Sequence, residues 1–99
     1  MKTEYLINIV EFCGIHNIKI SFVQSLQKSG LIELVTVKDS IFFKADQLPL
    51  IEKYQRFYYE MDINIEGIES ITHLLQQISV MHTEIIFLKN RLGLYEKEQ

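Results

Sequence analysis

From Ile68 to Leu92 apolar residues return every three or four positions: Ile68, Ile71, Leu75, Ile78, Met81, Ile85, Leu88 and Leu92. The steps are 3, 4, 3, 3, 4, 3 and 4, so one face of a helix stays apolar along its length. A helix starting after Asn64 and reaching Arg91 or Leu92 runs ~40 Å at about 1.5 Å per residue. In a chain of 99 residues too little is left to cover such a helix. The distal seam, Ile78, Met81, Ile85, Leu88 and Leu92, therefore needs a partner, and a second copy is the simplest one. Gly93 marks the expected end of the helix, and Tyr95–Gln99 reads as a frayed tail.

Ahead of this helix lies a corner, Tyr59-Glu60-Met61-Asp62-Ile63-Asn64-Ile65-Glu66-Gly67-Ile68-Glu69. Asn64 is a good N-cap, because its side-chain oxygen can accept from the first free N–H groups. Ile63 and Ile68 have the spacing of a hydrophobic staple. Glu66 and Glu69 fall in or near the first turn, where the helix dipole favours negative charge. Gly67 is a poor interior residue, so its missing side chain suggests a close approach by another backbone.

The first half reads as short elements. Asn8 to Glu11 forms a capping box, with Ile7 and Phe12 at staple spacing and Gly14 as the expected stop. A second helix runs from Lys19 or Ser21 to Lys28, with Val23 and Leu26 buried and Gly30 ending it. Two short helices joined by a small turn are a helix-turn-helix pattern. Ile32–Val37 and Ile41–Phe43 read as strands joined by Lys38-Asp39-Ser40, a hairpin wing. Asp46 opens a third helix, with Pro49 in its first turn and Ile51, Tyr54, Tyr58 and Met61 on its buried face. Phe57-Tyr58-Tyr59 cannot all point inward. Either two lie in the core with one over it, or an aromatic anchor is exposed at an interface.

Charge and chemistry narrow the function. Net charge is −3, unevenly spread. Residues 1–45 carry five lysines against four acids, a net +1. Between Asp46 and Leu88, Lys53 and Arg56 face Asp46, Glu52, Glu60, Asp62, Glu66, Glu69 and Glu84, a net −5. Such a half repels phosphate and attracts a basic protein surface, although it also suits an ordinary solvated face. His73 and His82 are nine residues apart, about 180° around one helix, and cannot share a metal within one subunit. No zinc, phosphate-loop or nucleophile pattern is present, so neither a cofactor nor an enzyme is expected. Cys13 is a core residue on this reading, and a lone cysteine fits a reducing cytoplasm. No apolar run approaches the ~20 residues of a membrane span, and Glu11 interrupts any leader-like start.

Several short motifs occur in a particular order. They are Glu11-Phe12-Cys13, Gly30-Leu31-Ile32-Glu33, Phe43 with Asp46, Arg56, Asp62-Ile63-Asn64 with Glu66-Gly67-Ile68, and Leu88-Lys89-Asn90-Arg91-Leu92. Together they resemble the chaperone-modulator (CbpM-like) family of the MerR-type helix-turn-helix superfamily. The resemblance covers nearly the whole chain. It implies binding to the J-domain of a DnaJ/CbpA-type co-chaperone, which keeps that domain from acting on DnaK. A J-domain presents a basic helix, and Tyr58, Tyr59, Glu60, Asp62, Glu66 and Glu69 are the residues expected to meet it. The alternative is a DNA-binding transcriptional regulator of MerR type. Such regulators typically carry Arg-Tyr-Tyr in the second helix, where this chain has Gln24, Ser25 and Leu26. Lys19, Lys28 and Lys38 alone make a thin footprint for phosphates.

The expectation is thus a mainly α protein, a MerR-like winged helix-turn-helix with a small β-hairpin wing and a long C-terminal helix. Residues 1–62 form the winged module with the third helix. Residues 63–99 form the dimerisation helix and tail, all within one compact domain. The expected role is that of a non-enzymatic modulator, cytoplasmic and homodimeric, without membrane contact.

Overall fold

The computed structural model describes residues 5–97, with side chains up to Gly93. In order the elements are β1 (Leu6–Asn8), α1 (Ile9–His16), α2 (Ile20–Lys28), β2 (Val35–Val37) and β3 (Ser40–Lys44). A 3-10 turn (Ala45–Gln47), α3 (Leu48–Gln55), a π-helical turn (Arg56–Glu60) and α4 (Ile65–Lys97) complete them. The chain divides into two compact units, Met1–Glu69 and Ser70–Gln99. The expected class holds: mainly helical, with a helix-turn-helix, a small sheet and a long last helix.

Each early element is set by a local cap. Asn8 has extended backbone, so it can end β1 and cap α1 at once. Its side-chain oxygen accepts from Val10 N–H at 2.8 Å and Glu11 N–H at 3.2 Å. Gly14 does not stop α1. The helix runs on to His16, and Asn17 supplies the left-handed residue at φ 56°. Asparagine tolerates that conformation, and the extra turn sets His16 against Phe12, with ring centres 4.3 Å apart. Gly30 does end α2 as expected, at φ 76°. Gly30 N–H donates to Gln27 C=O at 3.0 Å and Leu31 N–H to Leu26 C=O at 2.9 Å, a Schellman closure.

The wing has a third strand that local patterning does not show. β3 is central, with β1 and β2 antiparallel on either side. Leu6–Asn8, expected only to lead into α1, pairs with Phe42–Lys44. Val37 pairs with Ser40, so Lys38 and Asp39 form a two-residue turn, both at positive φ. The strand expected from Ile32 begins only at Val35. Glu33 is engaged elsewhere: its N–H donates to Gln47 Oε1, and Gln47 Nε2 donates to its carbonyl, both at 2.7 Å. Gln47 lies in the 3-10 turn holding Asp46, so α3 starts at Leu48 rather than Asp46.

The core of the first unit gathers Ile9 and Phe12 of α1, Phe22, Val23 and Leu26 of α2, and Phe43 of β3, with Ile51, Tyr54 and Ile68. Cys13 is buried among them, and burial pushes its thiol pKa up. The buried face of α3 stops at Tyr54. Tyr58 and Met61 are exposed, contrary to expectation, because the π-helical turn breaks the three- and four-residue spacing before it reaches them.

α4 begins after Asn64 as expected but does not end at Gly93. It continues to Lys97, so the expected tail is helical through Lys97, and residues 98–99 lie outside the described residues. A single glycine costs a helix about 1 kcal/mol, which a run of helix-forming neighbours can absorb.

Candidate functional site

The corner between α3 and α4 is built by a change of helical pitch. Met61 N–H donates to Arg56 C=O at 3.1 Å, five residues back, and Ile63 N–H to Phe57 C=O at 2.9 Å, six back. The wider turn is closed by Asp62 in the left-handed region, φ 54°. Aspartate visits this region more readily than most residues, because its short polar side chain can hydrogen-bond locally.

Widening the turn sorts the three aromatics. Phe57 packs against the core, while Tyr58 and Tyr59 are 37% and 40% exposed. The outcome is one ring inside and two at the surface. Both tyrosines rest on Phe22 of α2, with ring centres 4.7 and 5.4 Å away, and lie 5.0 Å from each other at 75°. Lys19 N–H, at the cap of α2, donates to the Tyr59 hydroxyl oxygen at 3.1 Å. The corner is therefore tied to the start of α2 by a hydrogen bond and a three-ring stack.

Beyond the tyrosines lies a cleft of about 340 Å³ lined by Tyr58, Tyr59, Asp62, Ile63 and Asn64. Of the six residues expected to bind a partner, Tyr58, Tyr59 and Asp62 meet there. Glu60, Glu66 and Glu69 are exposed on the same corner without lining the cleft. Phe22, the floor of the stack, is not among the residues expected at the site. The four-residue steps Ile18, Phe22, Leu26 carried the signal, and all three are buried.

Asn64 caps α4, its side-chain oxygen accepting from Gly67 N–H at 2.8 Å. Ile63 packs on the core beside fully buried Ile68, consistent with the staple. Gly67 is crowded by side chains, not by another backbone. A Cβ there would lie 2.7 Å from Ile63 Cγ2 and 3.1 Å from Asn64 Oδ1. Overpacking costs about 1–3 kcal/mol, and a lost cap adds to it. The better helix propensity of alanine returns about 1 kcal/mol. Gly67→Ala is accordingly expected to destabilise the fold by roughly 1–2 kcal/mol in urea titration. Stabilisation would mean that the cap and staple do not set this corner.

Two other surfaces bear on function. The exposed face of α2 presents Ser21, Gln24, Gln27 and Lys28, with one cation among them. In the second unit, Ile78, Met81, Ile85, Leu88 and Leu92 are between 49% and 60% exposed. Leu74 is exposed with them, and replacing Leu75 by Leu74 in the seam gives steps that alternate between three and four from Ile71 to Leu92. Among the described residues no group of three metal-ligating side chains gathers, and no helix is long and apolar enough to cross a membrane.

Comparisons with curated proteins and with solved structures give no match. The family model for MerR HTH family regulatory proteins matches residues 7–90, which span the sheet, the helix-turn-helix, the corner and most of α4. With the fold described above, that match makes this chain a member of the MerR HTH family of regulatory proteins.

Proposed function

We propose that this chain is a protein-binding, non-enzymatic member of its family. It acts in the cytoplasm as a homodimer that binds the J-domain of a DnaJ/CbpA-type co-chaperone and keeps it from DnaK. The observation that carries the reading is the corner, where exposed Tyr58 and Tyr59 stand among Glu60, Asp62, Glu66 and Glu69. The CbpM-like motifs of the sequence agree with it. A basic helix of the partner pairs with the acids while the tyrosines supply apolar contact. Exposed ion pairs contribute about 0–1 kcal/mol each, so the acids mainly steer encounter and fix register.

The second reading, a DNA-binding regulator, is favoured by the family's name and by the helix-turn-helix itself. Against it stands the exposed face of α2, whose lone lysine offers little to a phosphate backbone.

Calorimetric titration of a J-domain from the same organism into the protein, at low and at physiological salt, separates the two. Saturable binding weakened by salt supports the modulator reading. No binding at either salt, with sequence-selective capture of duplex DNA, supports the regulator. Glu66→Lys with Glu69→Lys is expected to weaken J-domain binding about tenfold, each reversal turning a small attraction into a repulsion. Undiminished affinity would remove these two acids from the interface.

A further inference from the structure

We infer that the cleft at the corner seats a single arginine side chain of the protein partner, its guanidinium stacked on Tyr58 or Tyr59 and forked onto the Asp62 carboxylate. This rests on the reading of the corner as a protein-binding site. At about 340 Å³ the cleft lies at the lower end of the small-ligand range and is lined by only five residues, a size suited to one long side chain rather than a helix. Its lining holds two tyrosines, whose rings meet edge to face with centres 5.0 Å apart, and one aspartate. A cation is the ligand that both elements attract.

Arginine fits better than lysine because its planar guanidinium can lie on a ring and still present two N–H groups to a carboxylate. The walls are also fixed in advance. Tyr59 is held by Lys19 N–H at 3.1 Å, both rings rest on Phe22, and the Asp62 backbone is set by the turn it closes. Little ordering is then left to be done on binding. Two ring–cation pairs of the chain lie elsewhere, Lys53 over Tyr54 at 5.7 Å and Arg91 over Phe87 at 5.8 Å. Among the described residues, no lysine or arginine of this chain lines the cleft.

The test is a titration of the full chain, followed by two-dimensional amide NMR, with blocked single amino acids: N-acetyl-arginine methylamide and its lysine and citrulline counterparts. Arginine is expected to shift the amides of Tyr58–Asn64 saturably. Citrulline, which keeps the shape and loses the charge, is expected to bind about fivefold or more weakly. Asp62→Asn, which keeps a residue tolerant of the left-handed turn, should abolish the response and leave the rest of the spectrum in place. Equal responses to arginine and citrulline, equal affinity for lysine, or shifts centred on Glu66 and Glu69 would overturn the arginine seat.

Titrating a J-domain into the same two proteins keeps the two ideas apart. J-domain binding undiminished by Asp62→Asn overturns the seat and leaves the co-chaperone reading intact. Blocked arginine bound at the cleft with no J-domain binding supports the seat and removes the co-chaperone reading.

Discussion

Replacing Ile85 with aspartate is expected to turn a dimer into a monomer. Ile85 sits mid-way along the exposed seam of α4, 49% accessible in the single chain. The seam runs Ile71, Leu74, Ile78, Met81, Ile85, Leu88, Leu92, in strict steps of three and four. The β-branched residues Ile71, Ile78 and Ile85 fall at one core position, and Leu74, Met81 and Leu88 at the other. In a parallel pair that distribution favours two strands over three or four. Burying one isoleucine is worth about 1.5–3 kcal/mol, and a dimer contains two copies of the site. The substitution removes both and sets two carboxylates against an apolar seam. The combined loss is on the order of 5 kcal/mol or more, a rise in dissociation constant of over about a thousandfold. Sedimentation equilibrium across micromolar concentrations reads this directly. Gln76→Asp, on the opposite face of the helix, should leave association unchanged. A wild-type chain that stays monomeric throughout would refute the seam as a dimer interface.

The seam and the caps share a property: each is written in residues close together in the chain. Asn8, Gly30 and Asn64 act on N–H and C=O groups within five residues, so their roles could be read without the fold. The features that escaped depend on distant partners. Leu6–Asn8 is a strand only because Phe42–Lys44 lie beside it, and three residues carry no period of their own. Glu33 leaves the strand because Gln47, fourteen residues on, takes its backbone groups. Gly14 and Gly93 look like stops, but a glycine ends a helix only where the chain can turn with profit. At α1 that place was Asn17. The candidate site divides the same way. Its acids and tyrosines stand out in the sequence because all fall between Tyr58 and Glu69. Its shape does not, because the π-helical turn reflects the burial of Phe57 and the pairing of Tyr59 with Lys19, forty residues away. Phe22 joins the site through that same long-range contact.

The largest loss of stability is expected from Phe43→Ala. Phe43 lies in β3, the central strand, paired with Ile7 on β1, and none of its surface is exposed. Its ring meets Phe12 of α1 edge-on, with centres 5.2 Å apart and planes at 85°. One side chain thus joins the central strand to the first helix. Removing a buried phenylalanine costs about 3–5 kcal/mol, most of it lost transfer energy and an unfilled cavity. Domains of this size have about 5–15 kcal/mol in total, so about a fifth or more is at stake. At roughly 4–8 °C per kcal/mol, the melting temperature should fall by about 12–40 °C. The neighbouring Phe42 is the control. It pairs with Asn8 and Val35, its side chain points to the other face, and it is only half-buried. Phe42→Ala should cost about 1–2 kcal/mol, the lower end of large-to-small changes. The contrast tests the register as well as the core, because a slip of one residue exchanges the two faces of the strand. Equal losses for the two variants in urea and thermal unfolding would mean that Ile7 does not pair with Phe43. The wing would then be held differently against α1.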